Sequence, residues 1–98
     1  MEDWFLKNTI RMGYSDFFEC NNIREYCRKN KVIFDFNLYD IPATMRHNIK
    51  TCADIGAFGI TVANHPGNAL GIKEAYLAGV EYDIEIIMGE HLCISQRN

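Results

Sequence analysis

The chain has 98 residues, 48% of them hydrophobic, and 13 acidic against 10 basic side chains leave a formal net charge of −3. That length holds one domain and no more. The mild acidity argues against nucleic acid or an anionic membrane as the main partner, and no apolar run approaches the ~20 residues of a membrane span.

Met1-Glu2-Asp3-Trp4 lacks the basic start and apolar stretch of a signal peptide. Residues 1–8 read as an N-terminal arm whose Trp4, Phe5 and Leu6 can dock elsewhere. Thr9 to Gly13 is a short strand. Asn22 caps a helix, with Glu25 as its box partner three residues on. Ile23, Tyr26 and Cys27 form the inner face of that helix. The basic run Arg24, Arg28, Lys29 and Lys31 reads as a solvated face.

Lys31 to Asn37 is the clearest strand. Val32, Phe34 and Phe36 point one way, suited to packing under helices, and Ile33, Asp35 and Asn37 point the other. Two polar groups thus stand where an ordinary core wants apolar ones. In an α/β barrel the inward face at the carboxyl end of a strand is where chemistry sits. Asp40-Ile41-Pro42 turns into a helix, since proline is comfortable in a first helical turn. Asp40 is read as its cap. Met45, Ile49, Cys52 and Ala53 make the buried stripe, and Gly56 ends the helix. Gly59 to Ala63 is a strand. A helix after Pro66-Gly67 has Ala69, Ile72, Tyr76 and Val80 as its apolar face and ends near Gly79. Ile84 to Met88 is the last strand, and residues 90–98 read as a tail without period.

The order is βαβαβαβ, which predicts an α/β fold with a parallel sheet. Such a sheet has two open edges and a bare inner face carrying Ile33 and Ile87. A homo-oligomer of two or more chains is therefore expected. Cys20, Cys27, Cys52 and Cys93 show no CxxC spacing, so no metal or other cofactor is expected. Cys27 and Cys52 read as small buried thiols. A reducing, cytoplasmic setting fits these thiols.

Residues 35–44, Asp-Phe-Asn-Leu-Tyr-Asp-Ile-Pro-Ala-Thr, resemble the signature of the orotidine 5′-phosphate decarboxylase family, Asp-x-Lys-x-x-Asp-Ile-Pro-x-Thr. Asn37 stands where the family has its catalytic lysine. Ile10-Arg11-Met12-Gly13 is similar to the preceding strand, with arginine in place of the usual lysine. Ala53-Asp54-Ile55-Gly56-Ala57, Ile60-Thr61-Val62 and Asn64-His65-Pro66-Gly67 extend the likeness, although the family more often has histidine at Ala63. It covers roughly residues 9 to 90.

The resemblance implies about half of a (β/α)8 barrel, since a closed one takes about 250 residues, with the second half supplied or covered by oligomerisation. It further implies a degenerate charged array at Arg11, Asp35, Asn37 and Asp40, whose family counterparts strain the substrate carboxylate and protonate the carbanion. Ile41 and Thr44 match positions used at the substrate's ribose across the family's dimer interface. His65 stands at a strand's carboxyl end, where it could act as acid or base, and Gly67, just before a helix, could offer a free N–H to an anion. Three readings stay open. The chain is a non-enzymatic protein that assembles with itself or a protein partner, a pseudoenzyme that keeps a pyrimidine-nucleotide pocket, or a weak decarboxylase with a site shared between chains.

Overall fold

The computed structural model describes residues 7–88, so the expectations for Trp4-Phe5-Leu6, Cys93 and the tail lie outside the described residues. Apolar alternation and helical stripes sort this stretch into four parallel strands in chain order, β1-β2-β3-β4. These are β1 (Thr9–Met12), β2 (Lys31–Leu38), β3 (Gly59–Val62) and β4 (Glu85–Met88). Helices α1 (Tyr14–Glu19) and α2 (Ile23–Lys29) join β1 to β2, α3 (Pro42–Ile55) joins β2 to β3, and α4 (Ala69–Tyr82) joins β3 to β4 after a 3-10 turn at Pro66–Asn68. The expected α/β alternation is present.

The core lies between the helices and one face of the sheet. Met12, Val32, Phe34, Ile60 and Val62 on the strands meet Met45 and Ile49 of α3 and Ala75 and Ala78 of α4. Pro42 opens α3, and Gly56 closes it at φ 109°, a left-handed conformation that glycine takes without steric cost. Asn22 caps α2 through the Glu25 N–H at 3.2 Å. The reciprocal half of the box is absent, because the Glu25 carboxylate pairs with Arg28 and Lys29 instead.

Three expectations need correction. Helix α1 was not foreseen. It carries Tyr14 and Phe17 onto β2, where Tyr14 stacks on Phe36 at 4.2 Å and Phe17 meets Phe34 edge-on at 5.3 Å. Helix α4 runs past Gly79 to Tyr82, and it buries Gly71, Ala75, Ala78 and Gly79 rather than Ala69, Tyr76 and Val80. The helix lies too close to the sheet for larger residues. A Cβ on Gly79 would come within 2.6 Å of Ile86 Cγ1 and 2.9 Å of the Ile84 carbonyl. Only small side chains fit that seam.

Ile33 and Ile87, expected to lie bare on the other face, are 1% and 7% exposed. Gly59 of the intervening strand pairs with Ile33 on one side and Glu85 on the other. Its missing side chain leaves room for Ile87, whose Cδ1 lies 3.0 Å from where a Cβ would be. On the helix face, Arg46 of α3 bonds Glu74 of α4 at 2.9 Å, also pairs with Glu81, and lies over the Tyr82 ring. These contacts clamp the two helices side by side.

Candidate functional site

The parallel register places Arg11 beside Ile33, and Thr61 beside Ile87, on the face away from the helices. Asp35 follows Ile33 by two residues and shares that face. Its carboxylate is gripped from both sides. Arg11 Nη2 donates to Oδ2 at 2.7 Å, and the Thr61 hydroxyl donates to Oδ1 at 3.0 Å. Thr61 is fully buried and its oxygen in turn accepts the Asn37 N–H at 2.8 Å. The donor and acceptor roles are therefore fixed along a chain from Arg11 through Asp35 and Thr61 to the backbone of Asn37. Arg11 and Asp35 keep 29% and 36% of their side chains exposed, so the pair is half-buried rather than sealed.

Asn37 departs from simple alternation. From Phe34 to Leu38 the chain takes four steps while β3 takes two, from Ile60 to Val62, so β2 carries two extra residues at this point. Asn37 absorbs the bulge at φ 52°. Asparagine is among the few residues that enter the left-handed region readily. Its side chain is exposed, and its N–H takes the Thr61 hydroxyl as acceptor.

Asp40 does not join this chain, nor does it cap α3. The N-cap position belongs to Ile41, which makes no side-chain cap bond, and Asp40 Oδ2 accepts from Asn48 Nδ2 at 3.1 Å. Burial, and next the nearby Asp40 carboxylate and then Cys52, push the Tyr14 phenol above its ordinary value.

The expected ligand residues do gather. Asp40, Ile41, Thr44 and Gly67 line one cleft of about 570 Å³ at the carboxyl ends of β2 and β3, together with Tyr39 and Leu70. His65 stands at its rim. Its Nδ1 accepts the Gly67 N–H at 3.0 Å and lies 3.4 Å from the Tyr39 hydroxyl, so in the neutral ring the proton sits on Nε2. Between the lining residues Gly67 and Ala69 stands the buried Asn68, whose Nδ2 donates to the carbonyls of Leu38 and Ala63 at 3.2 and 2.9 Å. One amide thereby joins the ends of both strands.

The sequence reading passed over Thr61, Asn48, Tyr39 and the clip made by Asn68. Thr61 had a usable signal, since it is a lone hydroxyl between Ile60 and Val62 in a strand flanked by the polar one. The others bond across loops whose approach no local pattern encodes. Among the described residues, no group of three or more His, Cys, Asp or Glu is placed to hold a metal ion, and no helix is long and apolar enough to cross a membrane. No protein-family model matches the chain, and no curated protein matches it.

Proposed function

We propose that the chain is a non-catalytic protein, similar to half of an orotidine 5′-phosphate decarboxylase barrel, that works as a homo-oligomeric assembly. The observation that carries this reading is the closed polar chain on the inward face. Both oxygens of Asp35 are taken, by Arg11 and by Thr61. Decarboxylation of this type leaves a carbanion that needs a proton. Asn37 is a neutral amide with none to give, and a guanidinium, which holds its proton throughout the ordinary pH range, is a poor donor. What remains of the charged array acts as a brace between β1, β2 and β3. Among the described residues β1 and β4 are the edge strands of the sheet, and these are what self-assembly would use.

The test is direct. Purified protein mixed with orotidine 5′-phosphate should leave the orotate absorbance at the level of a protein-free control. Loss above that control would overturn the reading. Turnover that rises more steeply than protein concentration would point instead to a lyase site shared between chains.

A second reading, a pyrimidine-nucleotide pseudoenzyme, is favoured by one observation: Asp40, Ile41, Thr44 and Gly67 line a single cleft. Calorimetric titration with uridine 5′-phosphate examines it. Binding that weakens in Thr44→Ala would support a retained nucleotide pocket, and no heat at millimolar ligand would exclude one.

A further inference from the structure

Helix α4 has two apolar faces. The small one, Gly71, Ala75 and Ala78, packs on the sheet and α3. The larger one, Tyr76, Leu77 and Val80, is turned to solvent, with Val80 86% exposed. At helical spacing, Ile72, Tyr76 and Val80 stand on the flank opposite Glu74 and Glu81, which hold α3. That flank overhangs β4. Tyr76 and Val80 line an open groove of about 370 Å³ whose other wall is Ile84, Glu85 and Ile86. Among the described residues β4 pairs only with β3, so its outer edge is unpaired.

The opposite side of the sheet has the matching parts. β1 is the other edge strand. Beside it, on the same face as α4, α1 exposes Tyr14 and Phe18, the latter at 76%. The charges are complementary as well. Asp83 and Glu85 stand at the amino end of β4, Lys7 just precedes β1, and Arg11, the third of the four β1 residues, keeps part of its side chain exposed beside Asp35. The sheet register ranks Glu85 with Gly59, Ile33 and Arg11, so extension of the sheet in the same register would bring Glu85 level with Arg11 of the added strand.

We propose that the β4 edge and the Tyr76–Val80 flank of α4 bind the β1 edge and α1 of a second copy of this chain. The proposal rests on the homo-oligomeric reading above and names its surface. The joint is head-to-tail: a parallel strand is added to β4, and α1 of the incoming copy fills the groove beside α4. Two such joints related by a twofold would join the eight strands of two copies.

Light scattering coupled to size exclusion at micromolar concentration tests this with two substitutions at exposed positions. The wild type should show at least twice the 11.3 kDa chain mass. Val80→Glu spoils one half of the joint and Phe18→Glu the other, so each alone should fall to the single-chain mass. Their equimolar mixture should recover the doubled mass, because one unspoiled joint can form between unlike copies. A wild type at 11.3 kDa would overturn the homo-oligomeric reading and this inference together. An oligomeric wild type unaffected by Val80→Glu would overturn only the surface. Loss with Val80→Glu but not with Phe18→Glu would show α4 meeting something other than α1. As a second variant, Glu85→Lys, which would set a cation level with Arg11 of the incoming copy, should weaken assembly at least tenfold. Unweakened assembly would overturn the charge pairing.

Discussion

Thr61 links two partners on the sheet face away from the helices. Its hydroxyl is the one group that both donates to Asp35 and accepts from Asn37. Thr61→Val keeps the shape and removes the oxygen, leaving a backbone N–H and a carboxylate oxygen short of a partner. Urea unfolding should show a loss of about 1–3 kcal/mol. Arg11→Met strands the Asp35 carboxylate, but the pair is about one-third exposed, so water shares the burden. A loss of about 1–3 kcal/mol is expected, between the values for surface and buried pairs. An unchanged melting temperature would mean that the contact contributes nothing. For Asn37 the backbone decides. Lysine tolerates φ 52° less well than asparagine, so Asn37→Lys should cost about 1 kcal/mol and leave orotidine 5′-phosphate untouched. The face that Asp35 takes was legible from period-2 alternation, whereas Arg11 was singled out only by the resemblance. The bulge at Asn37 was not, because it exists only relative to β3, and a strand read alone carries no register.

Among the elements, α3 was the most legible, because fourteen residues give a full apolar stripe and both ends carry their signals, Pro42 and Gly56. Helix α1 was the least. Six residues cannot show a period, and Gly13 at its N-cap makes no side-chain bond. Helix α4 exposed a different weakness. Its large apolar residues do form a stripe, but a stripe does not say which face meets the sheet, and here glycine and alanine do. Gly79→Ala tests that seam. It gains up to about 1 kcal/mol of helix propensity but meets Ile84 and Ile86, and overpacking of this kind costs about 1–3 kcal/mol. A net loss of thermal stability is expected.

Helix α3 also buries Cys52, and burial foremost, with Cys27 beside it, pushes the thiol up to about 12 from an ordinary 9.0. The folded chain therefore keeps a proton that the unfolded chain has given up between those values. The stabilising contribution is whole below about pH 9 and fades as pH climbs towards about 12. Cys52→Ala should flatten that part of the wild-type stability profile, measured as denaturant midpoint against pH.

For the whole molecule, the proposed pairing has a thermodynamic signature that needs no substitution. An assembly that is more stable than its parts melts later when concentrated. A tenfold increase in protein should raise the wild-type melting temperature, and Val80→Glu should abolish that dependence. Equal melting curves at all concentrations would contradict an associating native state. The strand order has a kinetic consequence too. Each strand lies beside the one before it, so none has to be threaded between two already in place. The sheet can grow by one loop closure at a time, each spanning a single helical crossover, and such short closures favour quick folding. During synthesis the newest strand always forms the bare rim on which the next is laid. Among the described residues β4 still offers that rim, and under the proposed pairing an incoming chain would meet the same template that each nascent strand met before it.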